Sequence, residues 1–181
     1  MPEGKSCGSC TLCCKLMDVP ELDKPAGTWC RYCQPGKGCS IYQQVRPDVC
    51  GSYRCMWLST DLPERWKPSR CKLVVTDGRS IKRMQVMVDP AYPHAWRKEP
   101  FLSQFRLWAR QGTIVSVFVA DRVTHILPSG EEREGKKTSL EIALQHLQNP
   151  IGPTGDVCHA ETDGSTTRNW QSSHGKGQTD C

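Results

Sequence analysis

The stretch Cys7-Gly8-Ser9-Cys10-Thr11-Leu12-Cys13-Cys14 packs four sulfurs into eight residues. Cys30, Cys33, Cys39, Cys50, Cys55 and Cys71 follow, and the next cysteine is Cys158. The segment that carries them has few large aliphatic side chains, and a segment so poor in core formers needs a staple. The spacing favours metal as that staple. On a helix, Cys7, Cys10 and Cys14 fall three and four residues apart and share one face. Cys13 points partly away and can serve a neighbouring site. Cys7/Cys10 and Cys30/Cys33 each have the Cys-x-x-Cys separation that chelates a tetrahedral ion. Structural zinc supplies about 10–16 kcal/mol of apparent binding energy in small fingers. A typical domain is stable by only about 5–15 kcal/mol, so folding of this segment is expected to depend on metal.

Disulfides are the competing staple, and they belong to oxidising compartments. The start, Met1-Pro2-Glu3-Gly4-Lys5, lacks the apolar core of a secretory signal. No apolar run is long enough to span a bilayer. The expectation is a cytosolic protein with reduced thiols, metal ions as its partners and no membrane contact. A net charge of +5 hints at nucleic acid. The basic residues are scattered, however, and two Zn(Cys)4 sites of about −2 each would bring the chain close to neutral. A solvated mixed surface is the reading adopted.

The chain of 181 residues reads as one domain with appendages. The expected class is α+β: a cysteine-rich metal-binding module over residues 1–71, packed with a small antiparallel sheet and two helices over 72–148, then a disordered tail over 149–181. Pro20, Pro25 and Gly27 break Lys15–Trp29 into a loop. Gln34-Pro35-Gly36-Lys37-Gly38 is a tight turn that brings Cys33 and Cys39 together. Ser40–Val45 suggests a short helix, and Pro47 opens the turn that carries Cys50 and Cys55. Trp57, Leu58 and Trp66 are expected to cover the metal core.

Strands are expected over Lys72–Thr76 and Met84–Asp89, with an Asp77-Gly78 turn after the first. Two more are expected over Thr113–Ala120 and Val123–Leu127. Phe101, Phe105, Trp108 and Ala109 follow helical spacing between Pro100 and Gly112. Thr138 to Glu141 has capping-box spacing, and Leu140, Ala143, Leu144 and Leu147 form one face of a second helix. These stripes read as an ordinary core. The tail is rich in Gly, Ser, Thr, Asp and Gln. Its Cys158 and Cys181 are expected to be free, exposed thiols.

Three blocks share a recognisable pattern: Cys7-x-x-Cys10-x-x-Cys13-Cys14, Gly38-Cys39-Ser40-Ile41-Tyr42, and Arg46-Pro47-x-x-Cys50-x-x-Tyr53-x-Cys55. Over residues 7–58 the chain resembles the YkgJ-like cysteine cluster family, the CxxCxxCC domain described as zinc- or iron-chelating. That resemblance implies metal binding and a bacterial cytosolic protein. It implies no settled reaction, because the family is largely uncharacterised. Related clusters occur in a flagellin lysine methylase, but no separate methylase region is visible here.

The candidate ligands are Cys7, Cys10, Cys13, Cys14, Cys30, Cys33, Cys39, Cys50 and Cys55. Eight of them close two tetrahedral sites, with Cys30 and Cys33 as alternatives for one place and Cys71 as a possible extra ligand. An iron–sulfur cluster is the rival to zinc, since soft thiolates suit both. It would imply electron transfer or redox catalysis. The bacterial ferredoxin run is C-x2-C-x2-C-x3-C-P, and this chain departs from it because Cys14 adjoins Cys13 and Lys15 follows. Cys30-Arg31-Tyr32-Cys33 has the spacing of a redox-active pair, but the βαβ setting of that chemistry is missing around it. His94, His125, His146, His159 and His174 all lie outside the cysteine cluster, where surface or minor core roles suffice. Arg46 is placed either to hydrogen-bond ligand sulfurs and backbone carbonyls or to sit on the surface. Whether the protein is an enzyme is left open at this level.

Overall fold

Alternating Val, Met and Ile residues in the middle of the chain have the period of half-buried strands, and strands are what they form. A computed structural model describes residues 4–42, 44 and 46–137. The second helix expected over 138–147, the tail over 149–181 and both tail cysteines lie outside the described residues. In chain order the elements are α1 (Leu12–Leu16), β1 (Cys33–Gln34), β2 (Gly38–Cys39), α2 (Asp48–Ser52), α3 (Met56–Ser59) and α4 (Pro68–Cys71). They continue with β3 (Leu73–Thr76), β4 (Arg83–Val88), α5 (Phe101–Arg110), β5 (Ile114–Val119), β6 (Arg122–Ile126) and β7 (Glu132–Lys136). The class is α+β. No helix among the described residues is long and apolar enough to cross a membrane.

The larger sheet has five strands in the order β3-β4-β5-β6-β7. It is not wholly antiparallel as expected: β4 and β5 run parallel, with Val86 opposite Val117. The chain between them carries α5, and a crossover through a helix returns the next strand in the same direction, whereas a tight hairpin reverses it. β6 and β7 pair antiparallel, with Val123 opposite Gly135. β7 escapes sequence reading because Glu132-Arg133-Glu134-Gly135-Lys136 has no apolar alternation. It is an outer strand, and charged outer strands discourage pairing with other chains. Glu132 on it receives Arg97 at 3.2 Å and Arg106 at 2.9 Å.

Each sheet face has its own cover. On one, Leu73, Val75, Met84, Val86, Val115, Val117 and Ile126 pack with α3, Trp66, Trp96 and the buried stripe of α5. Trp66 stacks edge-on against Phe101 at 4.9 Å and Phe105 at 5.9 Å. Trp57 and Trp66 therefore cover the sheet, and of the three residues expected over the metal core only Leu58 also reaches the cysteine cavity. On the other face, Leu12 and Leu16 of α1 pack on Val74 and Met87. The cysteine-rich third thus shares its core with the sheet. Lys15 fastens the same contact, its Nζ donating to the Asp89 carboxylate at 2.7 Å. Gly78 turns the chain between β3 and β4 where a Cβ would run into the Arg83 carbonyl oxygen.

Candidate metal centre

Five short pieces of chain deliver the thiols. Cys7 and Cys10 lie on a turn, closed by the Cys10 N–H on the Cys7 carbonyl at 2.7 Å. The helical face that Cys7, Cys10 and Cys14 would share is not formed: the helix begins only at Leu12, and Gly8 adopts φ = 46°, a left-handed conformation that stops a right-handed helix. Cys13 and Cys14 ride on α1. The Gln34–Gly38 turn sets Cys33 opposite Cys39 as expected, and the Cys30 N–H bonds the Cys14 carbonyl at 3.1 Å. Thr11 Oγ1 accepts the Gly36 N–H at 3.2 Å and docks this hairpin on the start of α1.

In place of the short helix expected over Ser40–Val45, the described residues make turn bonds, Tyr42 N–H to Cys39 and Gln44 N–H to Ile41. Cys50 lies on α2, which follows Pro47. Cys55 immediately precedes α3. Lys5 holds the approach to Cys7, its Nζ donating to the carbonyls of Trp57, Thr60 and Leu62 at 3.1, 2.6 and 2.6 Å. Tyr53 Oη pairs with Thr76 Oγ1 at 2.9 Å and ties this end of the site to β3.

These pieces enclose a cavity of about 200 Å³. Cys7, Cys10, Cys13, Cys14, Cys30, Cys33, Cys39, Cys50 and Cys55 all line it. Cys30 and Cys33, alternatives by spacing, both line it. Each of these thiols is free of disulfide and partly exposed. Cys71 is different. It is buried in the sheet core, and its Sγ donates to the carbonyls of Trp66 and Leu73 at 3.3 and 3.4 Å. No described histidine lines the cavity; His125 pairs with Ser116 on the sheet at 2.9 Å. Among the described residues, no three Cys, His, Asp or Glu side chains already stand in an arrangement that could hold an ion.

The sulfurs divide the charge unequally. Cys14 is drawn below the usual thiol range, first by the Cys13 thiol and, against burial, by Cys33 and the Lys24 charge. Cys13 is correspondingly pushed up, by the same contact and then by burial. Burial, followed by repulsion from Cys14, pushes Cys50 up to about 11. Cys55 rises to about 11 through burial, opposed by the Leu58 amide. Cys7 is also raised, by burial and Cys10, while Arg54 and Arg46 pull it back. Arg46 therefore belongs to the site: it lines the cavity and lies over the Tyr42 ring at 4.2 Å.

The chain matches no protein-family model, no curated protein and no solved structure. What the cavity can do therefore rests on its own chemistry. Nine sulfur donors are a set suited to soft and borderline metals. Lys24, Met17, Asp18 and Leu22 complete the surroundings. None of them was marked by spacing or periodicity; their loop is closed by its own bonds, a Val19–Lys24 bridge and Lys24 Nζ on the Lys15 and Met17 carbonyls.

Proposed function

We propose that the chain binds zinc or iron through thiolates drawn from Cys7, Cys10, Cys13, Cys14, Cys30, Cys33, Cys39, Cys50 and Cys55. The metal either holds the fold of residues 7–55 or is handled by them. The observation that carries this reading is convergence: segments with almost no core of their own present nine unpaired thiols to one cavity. The resemblance to YkgJ-like cysteine clusters points the same way and adds the expectation of a bacterial cytosolic protein. Ligation requires the thiols to close on the ion and give up protons to solvent, so binding is coupled both to folding and to pH.

The donor set admits a second reading, a polynuclear iron–sulfur centre, because soft thiolates suit iron–sulfur as well as zinc; its roles are electron transfer and redox catalysis. Elemental analysis and an absorption spectrum of the anaerobically purified chain separate the two. Colourless protein with zinc, about two ions for two tetrahedral sites, supports the first reading. Iron, acid-labile sulfide and visible absorption support the second. Metal-free protein whose cysteines are already disulfides when isolated under reducing conditions overturns both.

A further inference from the structure

Spacing makes Cys30 the redox partner of Cys33, through Cys30-Arg31-Tyr32-Cys33. The fold offers a different partner. β1 and β2 pair antiparallel, with Cys33 directly opposite Cys39. The Ser40 N–H donates to the Tyr32 carbonyl at 2.8 Å, so Tyr32 and Ser40 form the hydrogen-bonded kind of pair. The two kinds alternate along an antiparallel ladder, which makes Cys33 and Cys39 a non-hydrogen-bonded pair. In such a pair the Cα atoms stand about 4.5 Å apart and the side chains approach most closely, on one face. A disulfide needs Cα atoms about 4.4–6.8 Å apart. The backbone already meets that requirement, and side-chain rotation is what remains.

The register is held from within the hairpin. Gly36 at φ = 75° and Gly38 at φ = 140° make the turn that sets it. Among the described residues, no other two cysteines face each other across a strand pairing. Both thiols are free and partly exposed, so a small oxidant reaches them. Both also line the cavity, where they are donors of the cysteine site.

We propose that Cys33 and Cys39 form a peroxide-sensitive disulfide that unloads the cysteine site. The unloading rests on the metal reading given above; the crosslink does not. Hydrogen peroxide is the oxidant. One sulfur, as thiolate, attacks a peroxide oxygen and the O–O bond breaks. That sulfur becomes a sulfenic acid, and the departing hydroxide takes up a proton as water. The other thiolate attacks the sulfenic sulfur, forms the S–S bond and expels a second hydroxide, also protonated to water. The sulfurs give up two electrons, and the peroxide leaves as two waters. Only thiolates ligate metal. A four-thiolate site deprived of these donors no longer closes around its ion.

Peptide mapping tests this. The full chain, loaded with zinc and freed of reductant, is treated with substoichiometric hydrogen peroxide. Remaining thiols are alkylated, and tryptic peptides are read by mass spectrometry. Trypsin cuts after Arg31 and Lys37, so Cys33 emerges as the only cysteine of residues 32–37. The expected first product joins that peptide to Cys39, with zinc appearing in solution in step with it. Cys39→Ser should lose this product. A first product that joins Cys33 to Cys14, Cys30 or Cys50, or that leaves Cys33 a thiol, overturns the assignment. Crosslinking with zinc retained overturns the unloading. If Cys39→Ser does not fold, the wild-type map decides alone. A wild-type chain that binds no zinc removes the metal reading instead, and the map of that metal-free chain still decides the crosslink.

Discussion

Two regions of one core are held together in different ways. From Met56 to Ile126 the chain is stabilised by burial: Phe105, Leu73, Met84 and Ile126 are all fully enclosed. From Pro20 to Cys55 no described apolar side chain is buried. The elements there are a three-residue 3-10 helix, two-residue strands and a five-residue helix, too short to persist alone. Complete burial of a large apolar side chain contributes roughly 1.5–3 kcal/mol, and this loop region has no such term. Its sulfurs stand where its core would be. The difference is sharpest near Cys55, where the last cavity cysteine meets α3.

The largest test of that contrast is removal of metal. Chelation is expected to abolish amide protection over residues 7–55 while residues 56–137 keep theirs, as followed by hydrogen exchange. Serine at Cys10, Cys14, Cys50 or Cys55 should have the same effect and lose metal. Equal protection of residues 7–55 with and without chelator would dissolve the distinction between the two regions.

Damage to the sheet region should do the opposite. Phe105→Ala is expected to destabilise the fold by about 3–5 kcal/mol, read from denaturant unfolding of the loaded protein. Metal content should be unchanged while the chain is folded. Loss of metal at full stability would mean that α5 governs the site directly.

The contact between the regions can be loosened selectively. Asp89 is buried, and its Oδ1 accepts from Lys15 Nζ at 2.7 Å and from the Ala91 N–H at 3.1 Å. Asp89→Asn is expected to cost about 2 kcal/mol, the scale of a hydrogen bond to a charged group. Hydrogen exchange should then show faster opening of α1 than of β4. Uniform acceleration across both would place the ion pair in the global fold and not at the seam.

The smallest effect is expected at Cys71. Serine there keeps a donor for the Trp66 and Leu73 carbonyls but adds polarity to the core, so about 1 kcal/mol should be lost. Metal stoichiometry should not change. A Cys71→Ser chain with less metal than the wild type would extend the ligand set beyond the cavity.

Much of this was legible in the sequence wherever the cause is local. Val86 and Val88 announce a strand because side chains alternate across a sheet. Phe101, Phe105, Trp108 and Ala109 announce a buried helix face because the period is 3.6. The Gln34–Gly38 turn pairs Cys33 with Cys39 because Gly36 and Gly38 accept positive φ, at 75° and 140°. Cysteine spacing likewise marked all nine cysteines that line the cavity. The local argument failed at Cys7–Cys14, where Gly8, at φ = 46°, keeps Cys7 and Cys10 off the helix that carries Cys14.

By itself, then, the sequence determined an α+β chain and a first third built on sulfur, because periodicity, turn chemistry and spacing are properties of neighbouring residues. Tertiary structure alone decided that β4 and β5 run parallel, that the charged stretch Glu132–Lys136 becomes a strand, and that Cys71 faces the core while Cys30 and Cys33 both face the cavity. Each of these depends on segments far apart in the chain, and only their packing sets which side chains meet.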